Sequence, residues 1–316
     1  MNEGTGSMTA MAKTNKNRLK RVTIFCLTVI VILTNVEVFL RKYYGFCDAV
    51  LMKEDTDFEY IAQPNQKRFR FRNNVLINSL SMRSEEVDTT AVIILGFGDS
   101  VFLGGILTDQ DSLASTILSN ALTRKKGEKV QFLNISADSW GPDNCFAYLN
   151  KNGNFGATHI FLFVSSHDAY DNMTFEKIVG VHESFPVKQY SFAILELVNR
   201  YLYPKIKNVF LREKEERSVI KMMNVFNSGF EDFYNYSVYK NIPLTIYLHA
   251  EKEELETGSY NQMGQEIISF ADKYKIPIIK DLYNGLKQTD LRDHIHLNER
   301  GQRKMAENVL RYLLSE

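Results

Sequence analysis

Cysteine is scarce, with three in 316 residues, too few for a disulfide scaffold. Cys26 lies in an apolar stretch, so only Cys47 and Cys145 could pair, and nothing in the sequence says that they do. The absence of Cys-x-x-Cys argues against a zinc ribbon or a thioredoxin-like site. Charge of one sign is also missing. Lys plus Arg and Asp plus Glu each number 38, so no nucleic-acid partner is expected, because such binding leans on neutralising phosphates. Phosphate-cradling motifs are absent too. In Gly96-Phe97-Gly98-Asp99-Ser100-Val101, a valine stands where a dinucleotide fingerprint needs its third glycine, and no Gly-Lys-Ser/Thr of a P-loop occurs. No internal repeat is evident.

What remains is ordinary globular composition, 44% hydrophobic and 24% charged, which excludes wholesale disorder and a collagen-like chain. The length suits one large domain with an appendage, or two small ones. Aromatics at 12% fit a well-filled core or a ring-lined groove.

The first 17 residues are polar and read as disordered. A basic cluster follows: Lys13, Lys16, Arg18, Lys20 and Arg21. Then comes VTIFCLTVIVILTNV, interrupted by Glu37 and completed at Leu40. From Val22 to Leu40 is about 19 residues, near the lower limit for a membrane-spanning helix. A cleavable signal would need a small-x-small site after the run, and none follows. A soluble core helix would need a polar face, and the run is apolar all round. The sequence therefore predicts a cytoplasmic tail (1–21) and a transmembrane signal anchor (22–40). Only Arg41 and Lys42 follow the run closely, so the positive-inside bias puts the N-terminus in the cytoplasm and the bulk outside the cell membrane, as a single-pass protein. Glu37 is expected near the outer interface, within reach of water.

Residues 43–88 read as a β-rich segment next to the membrane. In KRFRFR, basic and aromatic residues alternate with the period of a strand. The ordinary reading of Lys67, Arg68, Arg70 and Arg72 is a solvated strand face; contact with anionic lipid or polysaccharide is the sharper one. Residues 89–316 then alternate strands and helices. Apolar runs at 91–95, 130–135, 160–164, 244–248 and 276–279 predict five strands. Asp111 could cap a helix carrying Leu113, Ile117, Leu118 and Leu122. A helix is predicted over 262–274, and Asn298 should cap a last one carrying Met305, Val309, Leu310, Leu313 and Leu314. This pattern predicts an α/β fold with a parallel central sheet and helices on both faces. Ligands of such sheets bind beyond the carboxyl ends of the strands. Residues 181–241 break the alternation. They read as a helical insertion, with a helix at 190–203 and a charged stretch, that covers the sheet or walls the site.

Chemistry-bearing residues gather in the strand-end loops. Ser100 follows the first apolar strand, between glycines that permit a tight turn. It is a plausible nucleophile if a base lies nearby, although a serine in such a turn is more often structural. Asp293-His294-Ile295-His296 precedes the last helix. An aspartate three residues before a histidine can fold back onto Nδ1 and leave Nε2 free to take a proton from serine. A surface loop is the plain alternative. Zinc is a weaker one, because His294 and His296 would diverge in an extended loop and no third ligand cluster is evident. His159, His182 and His249 lack a motif and read as structural or surface residues.

The order of these loops resembles that of the SGNH (GDSL-type) hydrolases. Gly98-Asp99-Ser100 with Gly104 matches the first block of that family, with Val101 in place of the usual leucine. Trp140-Gly141-Pro142 resembles the second block and Asp293-x-x-His296 the last. The resemblance covers roughly residues 90–316 and implies a flavodoxin-like three-layer sandwich. It also implies Ser100 as nucleophile, His296 as base, Asp293 behind it, and an oxyanion hole from the backbone N–H groups of Ser100 and Gly141. The third block departs: Ser165-Ser166-His167-Asp168 puts His167 where the family has an asparagine donor. A His N–H can still donate there; a lost donor costs roughly 3 kcal/mol, about a hundredfold or more in rate. No metal and no organic cofactor is implied. The implied activity is hydrolysis of ester-linked acyl groups, first O-acetyl groups of cell-surface or cell-wall glycans, with lipid second. An O-acyltransferase on the same substrates, or a catalytically weak glycan-binding or assembly factor, is the alternative.

Overall fold

The computed structural model describes residues 4–211, 221 and 223–315. It has two compact units, one made of residues 1–47 and 190–212 and the other of residues 48–189 and 213–316. Most of the charged stretch expected in the insertion (212–220 and 222) lies outside the described residues. Among the described residues Cys26, Cys47 and Cys145 form no disulfide.

The first unit is built on helix α1, Gly4–Tyr44. The polar segment expected to be disordered is helical from Gly4, and the helix runs on past Leu40. Once apolar turns nucleate, each added residue gains a hydrogen bond without a new nucleation cost. Within it, Asn17–Tyr44 (28 residues) is long and apolar enough to cross a membrane. A second helical run, 193–211, widens to π-type pitch over Leu197–Leu202. Glu37 does not stand free in water. Its carboxylate accepts the N–H groups of Ala193 (2.8 Å) and Ile194 (3.0 Å), satisfying orphan donors at the start of that run. Arg41 donates to Glu37 and to the Ser191 carbonyl.

The second unit opens with two antiparallel hairpins, β1 (Met52–Asp55) with β2 (Glu59–Ala62), and β3 (Gln66–Arg70) with β4 (Asn73–Ile77). The basic strand is not a uniformly solvated face. Lys67 is exposed and Arg68 pairs with Asp48 at 3.1 Å, but Arg70 is buried, its guanidinium 4.8 Å from the Phe71 ring. Phe71 and Arg72 have positive φ and form the turn.

Five parallel strands follow: β5 (Val92–Gly98), β6 (Val130–Ser136), β7 (His159–Ser165), β8 (Leu244–His249) and β9 (Ile278–Lys280). Their spatial order is β6-β5-β7-β8-β9. The helices between them are α2 (Ser100–Leu103), α3 (Ala114–Lys126), α4 (Pro142–Asn152), α5 (Gly229–Lys240), α6 (Lys252–Thr257) and α7 (Gln262–Tyr274), with α8 (Glu299–Leu313) last. From β5 the chain crosses through α3 to β6 on one side, then returns through α4 to β7 on the other. Right-handed crossovers therefore put α3 and α4 on opposite faces. Helix α8 packs on α3, and α5 packs on α4. The expected α/β architecture, a parallel sheet between helical layers, is what this unit has.

Asp111 does not cap α3. It lies in a 3-10 turn, Gln110–Ser112, which Asp109 caps by accepting the Asp111 N–H, and α3 starts after Leu113 without a side-chain cap. Gly96 and Gly98 lie inside β5 rather than in the turn. A Cβ on Gly96 would stand 2.5 Å from the Phe102 ring, so the glycines make room for that side chain. Phe102 stacks on Phe163 at 4.0 Å, while Phe97, on the opposite face, meets Phe233 at 5.2 Å.

Candidate active site

The switch point of the sheet lies between β5 and β7, where successive crossovers leave in opposite directions, and clefts form beyond the strand ends there. A cavity of about 880 Å³ occupies this place. Ser100, at the first position of α2, lines it. Asp99 caps that short helix by accepting the Val101 N–H at 2.8 Å. The Ser100 turn is held from three sides. Gln302, buried on α8, donates to the Val101 carbonyl and accepts the Ala114 N–H, each at 3.0 Å. Asn134 donates to the Phe102 carbonyl at 2.8 Å. The buried Arg83 donates to the carbonyls of Leu103, Gly105 and Thr108. Burial pulls the Arg83 guanidinium down to about 10, against Asp138 and Asp109.

The distal loop comes to meet this turn. His296 Nε2 lies 3.0 Å from Ser100 Oγ, and His296 Nδ1 lies 2.8 Å from Asp293 Oδ2. With Nδ1–H donating to the carboxylate, Nε2 accepts the serine O–H. Asp293 Oδ1 also accepts the N–H groups of Ile295 (3.0 Å) and His296 (2.8 Å). Burial opposes charge on Asp293, but those two donors and the His296 ring hold its carboxyl below the usual carboxylate range. Ser100, His296 and Asp293 are thus brought together as a relay with the spacing a nucleophile, base and orienting group need.

Two other assigned residues are placed differently. Gly141 is the N-cap of α4, its N–H donates to Asn144 Oδ1 at 2.9 Å, and it does not line the cavity. That N–H is committed and cannot serve an oxyanion. Glycine is required at 141 for another reason: a Cβ there would collide with the Asp171 carbonyl oxygen. Ser139, two positions earlier and with φ 57, does line the cavity, beside Asp138. Among the described residues, its N–H has no hydrogen-bond acceptor.

His167 lines the cavity among acids. Its Nδ1 is 3.0 Å from Glu251 Oε1, and its Nε2 is 3.8 Å from Asp99 Oδ2 and 3.9 Å from both Asp168 Oδ1 and Asp171 Oδ2. Burial works against its charge, but Asp168, Glu251, Asp99 and Asp171 together push it up to about 10. Asp138 and Asp171 also face the cavity, and burial pushes both carboxyls up.

Sequence reasoning missed the residues that buttress these loops. Tyr60 on β2 donates from its hydroxyl to the Asp138 carbonyl (2.9 Å), while Trp140 Nε1 donates back to the Tyr60 carbonyl (2.9 Å). Lys221, from the expected insertion, lines the cavity and forms a buried ion pair with Glu59. His249, expected to be structural or surface, joins Asp281 at Nδ1 (2.7 Å) to the Ile295 carbonyl at Nε2 (2.8 Å). His159 is a buried structural residue bonded to Thr245, and His182 lines the cavity.

No protein-family model matches this chain, and no curated protein sequence matches it. Solved structures with a similar trace exist at low identity. A member of the lipolytic G-D-S-L family from Veillonella parvula is 14% identical, with 70% of this chain and 97% of that one covered, at TM-score 0.38. A psychrotrophic esterase from a Pseudoalteromonas species is 12% identical (71% and 99% covered, TM-score 0.41). An acetyl xylan esterase from Geobacillus stearothermophilus is 11% identical (70% and 93% covered, TM-score 0.39). At these values the chemistry has to be argued from this chain's own side chains.

Proposed function

We propose that this chain is a membrane-anchored serine esterase that removes short acyl groups from a neutral or amino-bearing glycan. The observation that carries the reading is the relay Ser100–His296–Asp293, at 3.0 Å and 2.8 Å. Ser100 attacks the ester carbonyl as its proton passes to His296 Nε2. Asp293 holds the ring and stabilises the imidazolium. The alkoxide leaves as His296 returns the proton to it. Water, deprotonated by His296, then releases the acid from the acyl-serine. The oxyanion is held by the N–H groups of Ser100 and Ser139, the latter in place of Gly141.

The walls support the substrate class. Asp99, Asp138, Asp171, Glu251 and Asp293 face the cavity, against few apolar side chains, among them Phe185, Met263 and Ile295. An acidic polysaccharide or anionic lipid would meet like charge from these carboxylates. A hydroxyl-rich or cationic sugar meets hydrogen-bond acceptors. Its volume is within the range of pockets that enclose a small ligand.

Anchoring rests on α1, with the N-terminus in the cytoplasm and the bulk outside as the flanking charges favour. The second helical run of that unit exposes Leu195, Val198, Leu202 and Ile206 at helical spacing, an apolar stripe that a bilayer surface would cover. A second reading, a glycan-binding factor with little turnover, is favoured by one feature: His167, at the third-block position, faces carboxylates instead of standing as a neutral donor.

Turnover of p-nitrophenyl acetate and of acetylated oligosaccharides by the full chain in detergent separates the two. The esterase reading expects hydrolysis that falls by roughly a thousandfold or more in Ser100→Ala, with the fold intact. Equal turnover by the mutant excludes a serine mechanism, and no turnover by the folded wild type favours the binding factor.

A further inference from the structure

The loops after β5 and β7 carry a cluster that the esterase relay does not use. Asp99 Oδ2, Asp168 Oδ1 and Asp171 Oδ2 converge on His167 Nε2 at 3.8, 3.9 and 3.9 Å. These separations are too long for hydrogen bonds. They lie within a few tenths of an ångström of the roughly 3.4 Å between ligands that share one ion at about 2.1 Å. Candidate ligand atoms of Asp99, His167 and Asp168 all lie within 4.8 Å of one another.

A second observation points the same way. Asp168 is 1% exposed, and its Oδ1 has no hydrogen-bond partner, although leaving a buried acceptor unpaired is costly. Meanwhile the other atom of each of three residues is already held. Asp99 Oδ1 accepts the Val101 N–H, Asp168 Oδ2 accepts the Ser165 N–H, and His167 Nδ1 is 3.0 Å from Glu251. That division, one atom braced by the fold and the other turned to a common point, is how metal ligands are oriented; a carboxylate behind the far nitrogen of a ligating histidine is its usual partner.

We propose that Asp99, His167 and Asp168 bind one divalent first-row metal ion, with Asp171 beside it. Two carboxylates with a single imidazole, and no thiolate, suit Mn²⁺ or Zn²⁺ rather than a soft ion. Nε2 gives up its proton when the ion binds. Because Asp99 and His167 line the cavity and Asp99 adjoins Ser100, the ion's charge faces the space a substrate oxygen would enter. The site stands whether or not the chain is an esterase.

The test is equilibrium binding of Mn²⁺ and of Zn²⁺ to the full chain in detergent after chelator treatment, read by elemental analysis and titration calorimetry. About one equivalent is expected in the wild type. Affinity should fall about tenfold or more in Asp168→Asn. His167→Asn, which keeps a polar side chain of similar reach, should do the same if the first variant folds poorly by circular dichroism. His294→Ala, in the other histidine-bearing loop, should bind as the wild type does. Absence of stoichiometric binding overturns the proposal. So does binding that survives both Asp168→Asn and His167→Asn, or that is lost in His294→Ala.

Discussion

Ser100, His296 and Asp293 come from opposite ends of the second unit's sequence, yet their contacts need little help from long side chains. Each sits at an element boundary whose backbone is fixed nearby. His249 is part of that fixing, because it holds the Ile295 carbonyl beside His296 while bonding Asp281. Both ring nitrogens face oxygen acceptors, so both must carry protons. Burial opposes that charge, but Asp281, the Ile295 carbonyl and Asp99 raise the folded-state value above the ordinary one of 6.5; Glu251 also feels its charge. A raised folded value means a contribution that is complete below the unfolded value, about 6.5, and is lost as pH rises through the folded one. The stability difference between wild type and His249→Gln should therefore be largest at mildly acid pH and shrink in alkali, as read from thermal melts across that range. A gap that widens with rising pH would contradict the imidazolium assignment. The Ser-His-Asp grouping was legible from Gly98-Asp99-Ser100 and Asp293-x-x-His296, since a short i, i+3 turn fixes its own geometry. The oxyanion donor proposed above was not. Gly141 attracts attention as a glycine, but its glycine serves the close approach of the Asp171 carbonyl, and the half-buried bend with positive φ falls on Ser139.

Among the elements, helix 262–274 has the bounds that its apolar period predicts. Asn298 caps α8 as its side chain allows, accepting the N–H groups of Arg300 (2.9 Å) and Gly301 (3.2 Å). Asn298 also donates to the carbonyls of Thr289 and Leu291, so it ties the helix to the loop that carries Asp293. Asn298→Ala should cost about 1–2 kcal/mol in a denaturant titration, with reduced turnover because Gln302 and the loop shift together. A neutral substitution would mean that the cap is dispensable. Strands β5 to β8 were legible because buried parallel strands are short, nearly continuous apolar runs. Their ends were read a residue or more short, since Gly96, Gly98 and Ser165 are not apolar although they pair in the ladder or continue it. Arg70, Arg83 and Lys221 were illegible as buried groups. Charge in a sequence reads as solvated, and only the fold reveals the Phe71 ring beside Arg70, the carbonyls that receive Arg83 and the Glu59 carboxylate that receives Lys221.

For the whole molecule, the α/β architecture followed from alternation alone, while the partition of the insertion did not. Residues 190–212 group with the N-terminal helix, whereas Lys221 belongs to the unit that holds the cavity. Glu37 explains the former: a carboxylate in an apolar run reads as an interruption, yet here it caps a helical segment distant in sequence. The anchored reading expects the chain to sediment with membranes and to be released by detergent but not by alkaline salt washes. Recovery in the wash would contradict it.

The central claim is that Ser100 is an activated nucleophile, and covalent capture tests it most directly. The full chain in detergent, treated with a fluorophosphonate and analysed by intact and peptide mass spectrometry, should carry a single adduct on the peptide containing Ser100. That adduct should be missing in folded Ser100→Ala. An unmodified wild type, or an adduct that persists in the mutant, would contradict the account.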